Sequence, residues 1–193
     1  MPIMDVRYAA GTLDAAAKAD LAARLTDVLI RMEGGANTPG GRAFAWVFFT
    51  AFATDDWWIG GHTDGTYVTG PGKFLVNIFI PEGYMNVTHK NEVHAWVAEA
   101  IGGATGCADP AGSLLTVLNE VTEGNWGDGG QPISLESIAK TVGQDGGPRP
   151  AWSRAYFEAK ARAMVAAGYP SDTGGMLPSL RPQLQKAAPA EPA

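Results

Sequence analysis

Two stretches of the chain alternate apolar and polar residues, and each runs on into an apolar stripe at helical spacing. The first stretch is Pro2-Ile3-Met4-Asp5-Val6-Arg7-Tyr8, followed by a turn at Gly11. Period-two alternation marks a strand with one buried face. Leu21, Leu25, Val28, Leu29 and Met32 then fall on one side of a helix, which Glu33-Gly34-Gly35 is expected to close. An apolar strand over Phe44 to Phe52 comes next, with the tail Trp57-Trp58-Ile59-Gly60-Gly61.

The same order returns. Phe74-Leu75-Val76-Asn77-Ile78-Phe79-Ile80 reads as a strand and Gly83 as its turn. Val93, Val97, Ala100 and Ile101 form a helical stripe, expected to end at Gly102-Gly103, and Leu114 to Val121 forms a further strand before Trp126-Gly127-Asp128-Gly129-Gly130. Gly11 and Gly83, Lys18 and Lys90, Leu21 and Val93, Leu25 and Val97, and Leu29 and Ile101 all stand 72 residues apart; Trp57 and Trp126 stand 69 apart. A repeat of this kind is one supersecondary unit used twice.

Each unit is strand, helix, strand, and the long crossover makes its two strands parallel, with a right-handed connection. The fold class predicted is α+β: two β-α-β units forming a four-stranded sheet with two helices on one face. The other face would carry Trp46, Phe48, Val76 and Ile78, too apolar to leave wet, so assembly into an oligomer is expected. The units span 2–61 and 74–130 within a domain 1–143. Residues 144–193 hold a Gly/Pro linker over Gln144 to Pro150, a helix over Ala151 to Ala167 with Trp152, Tyr156, Ala159 and Ala163 in a stripe, and an extended or disordered Pro/Ala-rich tail from Pro170.

Composition narrows the partners. The formal charge of −6 over 193 residues argues against a nucleic-acid surface, which needs a basic patch. Charged residues interrupt any export signal, and the apolar run Ala43 to Ala53 is too short to cross a bilayer. A cytoplasmic protein with no membrane attachment is expected. The single Cys107 excludes an internal disulfide framework. His89 and His94 are five apart, on different sides of a helix, which argues against a metal pair. No Gly-Gly pair stands in a nucleotide-binding context, so no metal and no cofactor is expected.

One residue carries distinctive chemistry. Pro2 follows the initiator methionine, whose removal would leave a secondary amine at the head of a strand. Desolvation lowers the pKa of such an amine toward neutrality and makes it a general base. Other candidates are polar or aromatic neighbours of an apolar pocket. His62 sits in the loop joining the units. Asn77 alternates with Val76 and Ile78 and so is expected on the other face of the sheet. Arg42 lies four residues before Trp46, on the same face of an extended strand, as either a substrate cation or an exposed structural arginine.

A proline-headed β-α-β unit, ending in an aromatic plus Gly-Gly and then repeated, resembles the tautomerase superfamily. The stretch Asn119-Glu120-Val121 … Asn125-Trp126-Gly127-Asp128-Gly129-Gly130 is similar to the corresponding ending in 4-oxalocrotonate tautomerase (4-OT). The fused arrangement is similar to cis-3-chloroacrylic acid dehalogenase (cis-CaaD) and to fused tautomerases. The resemblance covers about residues 2–140. It implies a homotrimer of two-unit chains with Pro2 near a subunit boundary, Pro2 as catalytic base, Trp57 as the aromatic wall of its pocket, and one site per chain because Phe74 heads the second unit. The family's carboxylate-binding arginines are replaced: their positions correspond to Thr12 and Tyr84, to Trp46 and Leu115, and, for the dehalogenase pair, to Pro81 and Tyr84. The dehalogenase histidine corresponds to Leu29, and its water-activating glutamate to Glu120 or Asn119. Arginine forks are the preferred partners of carboxylates.

Three activities are compatible with these residues. The first is a cofactor-independent keto-enol tautomerase acting on a small enol or keto acid or an aromatic enol. Pro2 would move the proton, and Tyr84, Asn77, Arg42 or a backbone amide would stabilise the oxyanion. The second is a hydratase or dehalogenase of an unsaturated acid. The third is a catalytically inactive relative.

Overall fold

The computed structural model describes residues 2–32, 37–122, 124–143 and 148–169. By packing, the chain divides into two compact units. One holds the residues up to Ile80 and Asn86–Asn119; the other holds Pro81–Met85 and the residues from Glu120 onward. The helix closure expected at Glu33-Gly34-Gly35, residues 144–147 of the expected linker and the tail from Pro170 lie outside the described residues.

The larger unit is built on a sheet of strand order β2-β1-β3-β4. Strand β1 (Ile3–Ala9) pairs in parallel with β2 (Trp46–Phe52), from Ile3↔Trp46 to Ala9↔Phe52. On its other side β1 pairs antiparallel with β3 (Phe74–Pro81), from Ile3↔Phe79 to Tyr8↔Phe74. Strand β4 (Leu114–Val121) runs the same way as β3: Phe74 donates to the Ser113 carbonyl at one end and Glu82 to the Val121 carbonyl at the other. Helix α1 (Ala15–Met32) joins β1 to β2, and α3 (Val87–Thr105) joins β3 to β4. The expected four-stranded sheet of two β-α-β units is therefore present, and the antiparallel β1–β3 pairing makes it a mixed one.

The repeat holds in atomic detail. Leu21, Leu25 and Leu29 on α1 and their counterparts Val93, Val97 and Ile101 on α3 are all fully buried, with α1 and α3 packed together. They cover the sheet face formed by Met4, Val6, Tyr8, Val76, Ile78 and Ile80. Asp14 accepts the Ala17 amide at 2.8 Å, and Asn86, 72 residues on, accepts the His89 amide at 2.9 Å. Each is the side-chain cap its helix start requires. Gly60-Gly61 and Gly129-Gly130 take matching left-handed pairs, φ 59° and 85° against 57° and 81°. Such pairs make the tight turn of a two-residue hairpin, closed by Ile59 with His62 in one repeat and by β5 (Gly127–Asp128) with β6 (Gln131–Pro132) in the other.

Four expectations need correction. Val76 and Ile78 lie on the helix-covered face; the open face carries Trp46, Phe48, Leu115 and Val117, all exposed. Side chains alternate along a strand, and the Met4↔Ile78 and Val6↔Val76 pairs fix which set faces the helices. The strand expected from Phe44 starts at Trp46, because Pro39–Phe44 forms a short helix, α2, capped by Thr38. Helix α3 does not stop at Gly102-Gly103 but runs to Thr105, with Gly106 as its left-handed cap. A Cβ on Gly102 would stand 2.6 Å from the Cys107 carbonyl oxygen, and one on Gly103 would stand 2.5 Å from the Arg24 guanidinium of α1. These two glycines serve close packing, not termination. The last helix, α5 (Pro148–Ala166), starts inside the expected linker. It buries Phe157 and Ala161, while Trp152, Ala159 and Ala163 are exposed.

In the smaller unit, α4 (Leu135–Thr141) packs against α5 through buried Leu135, Ile138 and Phe157. The turn Pro81–Met85 is held to α5 by a polar knot. Tyr156 Oη donates to Glu82 Oε1 at 2.7 Å, and Lys160 Nζ donates to both Glu82 oxygens at 2.7 Å. The Tyr156 ring covers Gly83, whose left-handed φ of 74° and lack of Cβ admit it. Burial alone would raise the Glu82 carboxyl, but the hydrogen bonds from Lys160 and Tyr156 and the Lys160 charge outweigh it and hold the group below its ordinary value. Burial, with the bond to Glu82 and its negative charge, pushes the Tyr156 phenol up to about 12.

Two outcomes are expected. Gly102→Ala gains about 1 kcal/mol of helix propensity yet destabilises the chain by about 1 kcal/mol or more through the clash with fixed backbone. Gly103→Ala meets only a movable side chain and is neutral or stabilising; urea unfolding of both variants checks the contrast. The knot contributes stability above the ordinary glutamate range, near 4.5, and loses it as the pH falls below that range. On the alkaline side its contribution holds below the ordinary tyrosine value of 10.0 and fades as the pH rises through about 12. Glu82→Gln should lower stability at pH 7 and flatten the acid limb in urea melts read by circular dichroism.

Candidate active site

Pro2 is buried at the head of the central strand. It precedes Ile3, which is flanked across the sheet by Trp46 on β2 and Phe79 on β3. Trp46 starts β2 with its ring on the open face, its indole N–H donating to the Ala43 carbonyl at 2.8 Å and its edge set against Phe48. In a secondary amine at Pro2, freed by loss of Met1, such burial would disfavour the charged form.

The other residues singled out from the sequence do not converge on this point. Arg42 lies in α2 rather than on a strand, because Thr38 and Pro39 start a helix there; its guanidinium is exposed and 3.7 Å from Asp27. Asn77 does alternate with Val76 and Ile78, but because those two face the helices it is Asn77 that lies on the open face, contrary to expectation, half-buried at mid-strand and opposite Asp5. Trp57 is half-buried against Phe52, the residue that pairs with Ala9 at the far end of β1. The span from Ile3 to Ala9 is about 20 Å at strand rise. Within one chain Trp57 therefore does not wall Pro2; it sits at the Phe74 end of β3, the head of the second repeat. The cause is the parallel β1–β2 pairing, which puts the end of β2 beside Ala9 and away from Pro2; the antiparallel β1–β3 pairing then brings Phe74 to that same end.

His62 occupies that same far end, exposed and edge-on to Tyr67. Nearby Asp64 is held below its ordinary value by the hydroxyl and amide of Thr66, and then by the charges of His62 and Lys73. Tyr84 belongs to the smaller unit, half-buried in the turn that the Glu82 knot secures. His89, on α3, bonds Glu92 and the Met32 carbonyl. Among the described residues no group of three or more His, Cys, Asp or Glu is placed to hold a metal ion, and no helix is long and apolar enough to cross a membrane.

Two residues escaped the sequence reading. Lys73 is 5% exposed, and its ammonium donates to the Trp57 and Thr63 carbonyls at 2.7 and 2.5 Å, which fixes the hairpin between them. Nothing in the run Gly70-Pro71-Gly72-Lys73 distinguishes it from a solvated lysine. Arg7 places its Nε 2.9 Å from Asp5 on the open face. Its signal was present, since it alternates with the buried Val6 and Tyr8.

No family model matches the chain, and no curated protein matches it. Solved structures do. A fused 4-OT, a wild-type symmetric trimer, is 21% identical with a TM-score of 0.55, covering 70% of this chain and 97% of its own. N1, a member of the cis-CaaD family, is 16% identical with a TM-score of 0.55, covering 95% and 99%. Macrophage migration inhibitory factor of Toxoplasma gondii is 12% identical with a TM-score of 0.52, covering 68% and 99%. These likenesses establish the architecture: the chain has the α+β fold of the tautomerase superfamily, in its fused, two-repeat form.

Proposed function

We propose that the chain is a tautomerase-superfamily enzyme, a cofactor-independent keto-enol tautomerase in which the Pro2 amine, exposed by loss of Met1, is the general base. The observation that carries this reading is the burial of Pro2 at the head of the central strand, in a fold shared with fused 4-OT. The amine takes a proton from carbon or from an enol hydroxyl and returns it elsewhere on a small substrate. Phe74 heads the second repeat and brings no amine, so the chain has one such base. Arg42 is exposed beside Asp27, and the family arginine positions hold uncharged residues. A monoacid or neutral aromatic enol therefore suits the site better than a diacid.

The open sheet face, with Trp46, Phe48 and Leu115 exposed, supports assembly of the chain with copies of itself, and a fused 4-OT of this fold is a symmetric trimer. Trp57 would wall only the Pro2 of another copy. A second reading, hydration or dehalogenation of an unsaturated acid, draws on one observation: the cis-CaaD family member covers 95% of this chain against 70% for the fused 4-OT. Glu120 or Asn119 would then activate water.

Chain made without an N-terminal tag, with Met1 loss confirmed by mass spectrometry, should ketonise enols, and its rate should rise with pH as the amine deprotonates. Pro2→Ala should lower kcat about 10²-fold, within the range of a positioned general base. Equal rates for the two proteins would remove Pro2 as base. Halide release or hydration without ketonisation would favour the second reading.

A further inference from the structure

The open face of the sheet is not uniformly apolar. Its central strand places Asp5 and Arg7 there, with Asp5 between Phe48 and Asn77, and Arg7 between Thr50 and Leu75. The flanking strands bring exposed Trp46, Phe48, Leu115 and Val117. An isolated surface ion pair contributes little. This pair, however, lies in the middle of a hydrophobic surface that must be covered, so covering it strips both charges of water and makes their remaining partners decisive. Arg7 uses only Nε on Asp5 Oδ2. The terminal nitrogens of a guanidinium fork carry four further N–H donors.

The face also bears on what covers it. The chain carries −6 overall, which makes copies repel, yet this face carries one acid and one base and is neutral. Such a surface is complementary to itself.

We propose that a second copy of this chain covers the open face and that Arg7 of one copy pairs with Asp5 of the next, which sets the register of the assembly. The inference rests on the oligomeric part of the reading above and adds the contact that specifies it. Each Arg7 then spends Nε within its own chain and its terminal N–H groups across the boundary. Each Asp5 accepts from both sides, and no charge is left buried without a partner. The arrangement repeats from copy to copy and closes without residual charge.

Charge exchange tests this. Full-length wild type, Asp5→Arg and Arg7→Asp are examined by analytical ultracentrifugation over a dilution series, with circular dichroism as the check of folding. Wild type should sediment as a multimer. Each single variant sets like charges against each other, and like charges brought together cost several kcal/mol, so its dissociation midpoint should rise roughly 10²-fold or more. The double exchange Asp5→Arg/Arg7→Asp should restore assembly, since it returns one acid and one base to every boundary whatever the number of copies. Single variants that assemble as tightly as wild type, or a folded double variant that stays monomeric, would overturn the pairing while leaving the oligomeric reading intact. A monomeric wild type would remove both. Variants that fail to fold are replaced by Asp5→Asn and Arg7→Gln. These should weaken assembly at least 10-fold each, and unchanged midpoints would overturn the proposal.

Discussion

The structure turns on one cross-strand pair, Asp5 opposite Asn77. These residues stand 72 apart, so each is the other's counterpart in the repeat, and the antiparallel β1–β3 pairing makes them the centre of an internal two-fold. Met4↔Ile78 and Val6↔Val76 follow on either side as exchanged counterparts. Two carboxylates at this centre would face each other directly, which destabilises a strand pair. Asparagine in the second repeat keeps the size and removes the charge. Every other placement descends from this register: which face meets α1 and α3, which face stays open, and which ends of the sheet the two repeat heads reach.

That geometry gives the two heads different fates. Pro2 lies at one end of the sheet and Phe74 at the other. Beside Phe74, the buried ammonium of Lys73 ties down the hairpin carrying Trp57 and His62. The repeat thus preserves the scaffold twice while keeping a proline head only once. The departure from symmetry falls where chemistry would be, and the packing residues between the repeats match closely. Strict packing with relaxed sites is what a shared hydrophobic core imposes, since the core residues must fit each other and the heads need not.

Much of this was legible in the residues. The 72-residue spacing of the glycine turns and helix stripes fixed the two units, their order and the inner face of both helices. Asp14 and Asn86 repeat as caps at the same spacing and had escaped notice. The errors have a common physical origin. Gly102-Gly103 reads as a stop because glycine often ends helices, but only three-dimensional packing shows the Cys107 carbonyl closed against Gly102 and the movable Arg24 guanidinium lying over Gly103. Val76 and Ile78 were put on the open face because alternation names two faces without saying which one the helices cover. Arg42 was placed on a strand because an apolar run hides the Thr38-Pro39 helix start. Trp57 and Pro2 share one repeat, but β1 and β2 run parallel, so a residue just past β2 lies the length of β1 away from the head of β1.

The central claim is that burial makes the Pro2 nitrogen a base near neutral pH. The most direct measurement is an NMR titration of chain labelled with ¹⁵N-proline and freed of Met1, following the Pro2 nitrogen. The account predicts a single titration with its midpoint below the ordinary α-amino range of about 7.7–8.0. A midpoint at or above that range, or a Pro2 resonance that does not titrate because the nitrogen is still an amide, would contradict it.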